Sequence, residues 1–188
     1  MFIAVPLPPE ATSQIAALVE RVRADGVPGG GRDVRWVRLD GLHLTLRFLG
    51  PTLDDRLAPA VEAVRVAGAA GAPFDVSIGG AGAFPSAARP RALWLGLRLG
   101  EAELTDLALT VDAAFRAAGW DLDEKPYAAH LTLARTDGIR AGPAIGARLV
   151  TAAADMDLRF RIDRIGLFES LTGGGPARYE PLEMVDLV

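Results

Sequence analysis

Apolar residues along the chain follow two periods, that of a helix and that of a strand. Residues 14–22 and 102–118 place apolar side chains three and four residues apart, which predicts two amphipathic helices. A third helix is predicted from Pro51 to about Val66, with Thr52 as its cap and acidic residues in its first turn. Shorter apolar runs predict strands at residues 2–7, 34–37, 41–50, 74–78, 91–99, 129–135, 159–168 and 179–187.

Glycine and proline separate these elements into short segments. Predicted loops lie at residues 26–31 and 79–90, and a predicted turn at residues 171–176 joins the last two strands. Because only some connections between strands carry a helix, many neighbouring strands are expected to be antiparallel. The mixture indicates α+β or α/β architecture.

The composition is that of a globular protein. The chain has 188 residues, of which 50% are hydrophobic, and this is enough for one domain or two tightly packed lobes. No run is long and apolar enough to span a bilayer, and the N-terminus lacks the features of a signal peptide. The absence of cysteine excludes a disulfide framework and a cysteine-ligated zinc site, and a cytoplasmic location is expected.

The charge balance narrows the kind of ligand. A net charge of −4 argues against a protein that coats nucleic acid through a broad basic surface, but it allows a site that binds one phosphate. Lys125 is the single lysine among 20 basic residues. Arginine suits bidentate phosphate binding, although a genome-wide codon preference explains this bias more simply.

The two histidines of the chain, His43 and His130, occur in the same tetrapeptide, His-Leu-Thr-Leu, at residues 43–46 and 130–133. Alternate residues of a strand project from the same face. Each histidine should therefore share a face with a threonine, Thr45 or Thr132, while the leucines point into the core. If a pseudo-twofold axis relates the two halves, the two pairs face each other across a cleft.

This pairing suits the hydrolysis of a cyclic phosphodiester. The reaction needs a base that takes a proton from water and an acid that protonates the departing sugar oxygen, and histidine can do either near neutral pH. The hydroxyls of Thr45 and Thr132 can donate to the non-bridging oxygens, where charge builds up in the transition state. Each proton transfer contributes roughly 10²–10⁴-fold in rate, so the loss of either histidine should be severe.

Two other interpretations of the histidines are weaker. A single histidine on a strand is more often a packed structural residue, but packing does not explain two copies, one in each half, that contain every histidine. Zinc sites need three or four ligands, and no His-x-x-x-His or Asp/Glu pattern completes such a set near either motif. Neither a metal site nor a cofactor is therefore predicted.

Two arginines follow the motifs. Arg47 has the parity of His43 and Thr45, so it is a possible substrate contact and, equally, a solvated strand residue. Arg135 has the wrong parity with respect to His130, and it reaches the cleft only if the strand ends or bulges before it.

These residues give the chain a resemblance to the two-histidine (2H) phosphoesterase superfamily, and within it to the bacterial and archaeal RNA 2′,3′-cyclic phosphodiesterases, formerly called 2′-5′ RNA ligases. The segments that are similar to the family are residues 2–8 (FIAVPLP), 42–50 (LHLTLRFLG), 93–96 (LWLG), 125–135 (KPYAAHLTLAR), 167–170 (LFES) and 175–181. One departure is Ala129, where the family usually has proline.

The resemblance implies a bilobal α+β fold, a single domain over residues 1–188 made of two interleaved lobes. Two antiparallel sheets would flank a central cleft with pseudo-twofold symmetry. It further implies metal-independent hydrolysis of a terminal 2′,3′-cyclic phosphate of RNA to a 2′-phosphomonoester. In these terms His43 is the proton donor, His130 the proton acceptor, and Arg135 a phosphate ligand.

Other functions use the same residues. RNA ligation is the reverse reaction, and water at high concentration disfavours it. A nucleotide-binding module without turnover is a third interpretation, but such relatives tend to lose motif residues, and both motifs are whole here. The expected partners are RNA 3′ ends or small nucleotides that carry a 2′,3′-cyclic phosphate. The protein is expected to be a monomer with no membrane contact.

Overall fold

A computed structural model describes residues 1–24, 33–137, 141–171 and 177–188. The predicted loop at residues 26–31 and most of the predicted turn at residues 171–176 lie outside these ranges. The nine strands of the described chain are β1 (Phe2–Pro6), β2 (Val34–Trp36), β3 (His43–Phe48), β4 (Phe74–Phe84), β5 (Ala92–Leu99), β6 (Leu131–Thr136), β7 (Leu158–Ile162), β8 (Arg164–Leu171) and β9 (Arg178–Asp186). The four α-helices are α1 (Pro9–Ala24), α2 (Leu57–Ala70), α3 (Glu101–Ala117) and α4 (Gly142–Ala152).

The strands of the described residues form two sheets. One sheet has the order β3-β1-β8-β9, and the other has the order β2-β6-β5-β4-β7. Every strand pairing recorded in these sheets is antiparallel, which confirms the α+β prediction. The first motif strand, β3, is an edge strand of its sheet, and the second, β6, lies inside the other sheet.

Two helices begin at different residues from those predicted. Helix α1 begins at Pro9, five residues before the apolar repeat that predicted it, because its first turn is polar. Helix α2 begins only at Leu57, after a short 3₁₀ helix at Asp54–Arg56. The predicted cap, Thr52, instead donates its hydroxyl to the carbonyl of Gly50 at 3.2 Å.

Three further elements differ from the sequence prediction. Strand β4 runs through much of the predicted loop at residues 79–90, where Gly82 passes so close to Trp94 that a Cβ there would lie 2.3 Å from the indole ring. Helix α4 was not predicted, because its small residues leave only Ile145 and Leu149 as large buried side chains. The single strand predicted at residues 159–168 is two strands, β7 and β8, which belong to different sheets.

One cluster of buried side chains includes residues from both sheets. The motif leucines belong to it, and none has more than 2% of its surface exposed, as predicted: they are Leu44, Leu46, Leu131 and Leu133. Burial of four leucines on the side away from the histidines fixes both motif strands, because a rotation of either strand would expose them.

Candidate active site

The two histidines are held in the same way. The Nδ1 atom of His43 lies 2.7 Å from the carbonyl oxygen of Gly41, and that of His130 lies 2.7 Å from the carbonyl oxygen of Ala128. Because a carbonyl oxygen can only accept, each Nδ1 carries a proton and donates it. In the neutral ring the proton-free nitrogen is then Nε2, which is available to a ligand.

Both motifs line one cleft of about 1290 Å³. His43 and Thr45 contribute from β3, Thr132 contributes from β6, and His130 lies immediately before β6. The side-chain alternation predicted from the sequence therefore places all four residues on the surface of a common cavity. Arg135 lines the same cleft.

A β-bulge in each motif strand turns the residue five positions after the histidine towards the cleft. On β3, Thr45 pairs with Ala4 and Arg47 with Ile3, so the strand has one extra residue, Leu46. On β6, Thr132 pairs with Trp94 and Ala134 pairs with Leu93, so the extra residue is Leu133. An extra residue reverses the alternation beyond it.

The bulge at Leu133 brings Arg135 to the cleft, as expected for a strand that bulges before this residue. The bulge at Leu46 has the opposite effect on Arg47. Arg47 is not among the cleft-lining residues in the described part of the chain, and Phe48 lines the cleft in its place. The expectation that Arg47 shares the face of His43 and Thr45 is wrong, because parity is not conserved across a bulge.

Arg47 instead forms a largely buried ion-pair network. Its Nε donates to Oδ1 of Asp112 on α3 at 2.5 Å, and its Nη2 donates to the other oxygen of the same carboxylate. Its Nη1 donates to Asp123 at 2.8 Å, in the loop that leads to the second motif. Only 12% of the Arg47 side chain is exposed.

A second contact joins the two motifs directly. The phenol of Tyr127 donates to the backbone carbonyl of Thr45 at 3.1 Å. Burial and the nearby charge of Glu101 raise the pKa of Tyr127, so the phenol keeps its proton. The sequence gives this residue only as part of the second motif, and nothing in its spacing points to its partner on β3.

Aromatic rings surround His43. Its imidazole lies 4.8 Å from the ring of Phe2 and 4.9 Å from that of Tyr179, measured between centroids, and Phe168 lies 6.5 Å away. These rings come from β1, β8 and β9 and meet only when the sheet is assembled. His130 has a different surrounding, with Phe84 at 5.0 Å and Trp94 at 6.4 Å.

The electrostatic environments of the two imidazoles also differ. Burial lowers the pKa of both below the ordinary value, and the hydrogen bonds to Gly41 and Ala128 oppose this effect in part. The positive charge of Arg135 lowers the pKa of His130 further. Without a bound anion, both rings are therefore neutral at neutral pH.

Arg135 is distinct among the arginines of the cleft. Arg23, Arg35 and Arg38 each pair with a carboxylate: these are Glu20, Asp137 and Asp40. Arg135 forms no hydrogen bond or ion pair with any carboxylate of the described residues. Its guanidinium is available to an anion next to His130.

Two features are absent from residues 1–24, 33–137, 141–171 and 177–188. No group of three or more His, Cys, Asp or Glu side chains is placed to hold a metal ion within these ranges. No helix among them is long and apolar enough to cross a membrane.

Two antiparallel sheets each present one His-x-Thr pair to the same cleft. This arrangement defines the class of protein, which is the two-histidine phosphoesterase fold. Residues 6–174 match the family model of the 2′-5′ RNA ligase superfamily. The chain belongs to this superfamily.

The relatives agree with this assignment. The chain is 37% identical over 135 residues to an RNA 2′,3′-cyclic phosphodiesterase of Geobacillus stearothermophilus, a match that spans 71% of this chain and 41% of that protein. Proteins of the same name from Archaeoglobus fulgidus and Methanothermobacter thermautotrophicus are 34% and 31% identical. The first match covers 72% of this chain and 71% of the relative, and the second covers 90% of each.

Solved structures have the same fold. TT0787 of Thermus thermophilus superimposes with a TM-score of 0.73 at 28% identity, over 99% of this chain and 96% of that one. LigT of Escherichia coli in complex with 3′-AMP superimposes with a TM-score of 0.72 at 26% identity, over the same shares of the two chains.

Proposed function

We propose that the protein hydrolyses the terminal 2′,3′-cyclic phosphate of RNA, or of a small nucleotide, to a 2′-phosphomonoester. The observation that carries this proposal is the matched pair of imidazoles, each held through Nδ1 with Nε2 available at one cleft. Relatives that are named RNA 2′,3′-cyclic phosphodiesterases support it.

The reaction needs two proton transfers on opposite sides of the phosphorus. Nε2 of His130 takes a proton from water as its oxygen forms a bond to phosphorus. The bond from phosphorus to the 3′ oxygen breaks, and Nε2 of a protonated His43 gives its proton to that oxygen. The product is a 2′-phosphate with a free 3′-hydroxyl, and one further proton transfer resets the pair.

The surroundings of the two rings support this division of roles. The cation of Arg135 opposes protonation of His130, which favours a neutral base. A bound phosphate raises the proton affinity of both rings, and at His130 the charge of Arg135 opposes this rise.

Three further residues are proposed to bind the phosphate. The hydroxyls of Thr45 and Thr132 donate to the two non-bridging oxygens from opposite sides, and Arg135 supplies the positive charge. No step of this scheme requires a metal ion. RNA ligation is the reverse of the same scheme, and we propose it only as a side reaction, because water is in large excess.

The test uses an oligonucleotide with a 2′,3′-cyclic phosphate end, incubated with the protein in EDTA. The variants His43→Asn and His130→Asn suit the test, since the amide NH₂ can still donate to the carbonyl that Nδ1 contacts while Nε2 is lost. We expect turnover in EDTA and a loss of roughly 10²-fold or more in each variant. No turnover by the wild-type protein, or turnover only with added metal, would refute the proposal. Binding without turnover would favour a nucleotide-binding module.

A further inference from the structure

Tyr179 is an aromatic residue of the cleft that takes no part in the chemistry above. It lies on β9, where it pairs with Ser170 of β8, and it is half-buried. Its ring meets the imidazole of His43 edge-on, with centroids 4.9 Å apart and ring planes at 87°. Perpendicular contacts of this kind are a preferred arrangement of aromatic pairs.

The same ring also contacts the residue that accepts the hydrogen bond of His43. A Cβ added at Gly41 would lie 2.9 Å from Cδ2 of Tyr179 and 3.5 Å from Cε2. Gly41 has no positive φ, so its backbone conformation would accept alanine, and the ring of Tyr179 is what leaves no room. The carbonyl of Gly41 accepts the proton of His43 Nδ1 at 2.7 Å. One ring therefore packs against both partners of this hydrogen bond.

Phe2 covers another side of the imidazole. Its ring is tilted by 34° from that of His43 at 4.8 Å, and Tyr179 meets the ring of Phe2 at 80° and 5.1 Å. A hydrogen bond at Nδ1 alone would let the imidazole tilt about that contact, whereas packing on its sides restricts this movement. A tilt of His43 would therefore displace Phe2 or Tyr179.

We propose that Tyr179 is the positioning residue of His43: its ring holds the imidazole against the Gly41 carbonyl, so that Nε2 stays directed into the cleft. The role belongs to the ring, and the hydroxyl is not needed for it. The effect on rate rests on the proposed function, in which Nε2 of His43 protonates the 3′ oxygen. Misplacing a reacting group by about 1 Å can cost on the order of 10²-fold in rate.

The experiment uses replacements on both sides of the contact. Tyr179→Leu keeps an apolar side chain on β9 but removes the ring, and Tyr179→Phe keeps the ring but removes the hydroxyl. Gly41→Ala pushes the ring away through the added Cβ. Phe84→Leu is the matched control, because Phe84 meets the other histidine, His130, in the same way, at 5.0 Å and 90°.

The first reading is ¹⁵N NMR of the imidazoles in the free protein, which reports the nitrogen that carries the proton. Tyr179→Leu should give His43 a mixture of the two tautomers and leave His130 with its proton on Nδ1. Phe84→Leu should alter the signals of His130 and leave those of His43 unchanged. This reading needs no turnover, so it tests the role of Tyr179 even if the wild type hydrolyses no cyclic phosphate.

The second reading is the kinetics with adenosine 2′,3′-cyclic phosphate. Tyr179→Leu should lower kcat about tenfold and leave KM nearly unchanged, because the orientation of the acid matters in the transition state. Tyr179→Phe should recover most of the lost kcat. Gly41→Ala should also lower kcat, but it should have little further effect in the Tyr179→Leu background, where the ring that it displaces is gone.

Four results would overturn the proposal. The first is an unchanged tautomer of His43 in Tyr179→Leu, and the second is a change of the same size at both histidines in that variant. The third is independent effects of Gly41→Ala and Tyr179→Leu on kcat. The fourth is a Tyr179→Phe variant as slow as Tyr179→Leu, which would assign the effect to the hydroxyl instead of the ring.

Discussion

Replacement of Arg47 by methionine tests whether Arg47 stabilises the fold or contacts the substrate. The change keeps much of the aliphatic stem and removes the guanidinium, which contacts both oxygens of Asp112 and one oxygen of Asp123. Asp112 would be left almost buried, with 13% of its side chain exposed and its charge uncompensated.

The expected loss of folding stability follows from the burial of Asp112. Removing one partner of a buried ion pair costs roughly 3–5 kcal/mol, because the remaining charge stays out of water. The contact with Asp123 adds little, since that carboxylate is 54% exposed and solvent screens its charge. A loss of about 3 kcal/mol is a large part of the total stability of about 5–15 kcal/mol that is usual for a domain.

The assay is urea unfolding followed by the fluorescence of the three tryptophans. We expect Arg47→Met to lose about 3 kcal/mol of unfolding free energy and Asp123→Asn to stay close to the wild type. The double variant Arg47→Met/Asp112→Leu should be more stable than Arg47→Met alone. The folded fraction of each variant should keep the KM of the wild type. An unchanged stability of Arg47→Met combined with a raised KM would refute the structural role and show that Arg47 contacts the substrate.

Three further predictions concern other residues of the site. Arg135→Ala should lower kcat/KM by about tenfold to a hundredfold through the loss of a charged hydrogen bond. The same variant should raise the pKa of His130 but not that of His43. Equal pKa shifts of both histidines in an NMR titration would contradict the placement of Arg135. Tyr127→Phe should cost about 1 kcal/mol in urea unfolding, and an unchanged stability would mean that the bond to Thr45 contributes nothing. Both histidines have a lowered pKa in the folded protein, so the unfolded chain binds more protons and stability should fall as pH drops below the ordinary value of 6.5. In unfolding curves, a His43→Asn/His130→Asn variant should lose the part of the pH dependence that comes from the histidines. If the stability of that variant fell with pH as steeply as that of the wild type, the result would contradict this prediction.

The sequence predicts the centre of the site well because the relevant signal is local. Alternation within each His-Leu-Thr-Leu segment depends only on a strand conformation, so the leucines had to be buried if the histidines faced a cleft. The structure places Leu44 and Leu131 in the core and His43 and His130 at the cavity, in agreement with that alternation.

The edges of the site depend on pairing between strands, which the sequence does not reveal. The bulges at Leu46 and Leu133 are defined only by the strands opposite them, and they decide that Phe48 and Arg135 face the cleft while Arg47 does not. The ring of Tyr179 is distant in the chain from His43 and reaches it only through the packing of β9.

The fold shows the same division between local and distant signals. Helix α3 has a strong apolar repeat and begins and ends within one residue of its predicted limits. Helix α4 consists mainly of small residues and gives no periodic signal. Strand β4 continues through a glycine-rich segment that is typical of a loop, because glycine there makes room for the ring of Trp94.

The paired action of the two histidines is tested most directly by ¹⁵N NMR of the imidazole rings, since the chain contains two histidines and hence two sets of ring signals. In the free protein we expect both rings to be neutral with the proton on Nδ1. On titration with adenosine 2′-phosphate, the Nε2 signals of His43 and His130 should shift together with the same apparent affinity. A response from one ring alone, or a proton on Nε2 in the free protein, would contradict a single phosphate site between them.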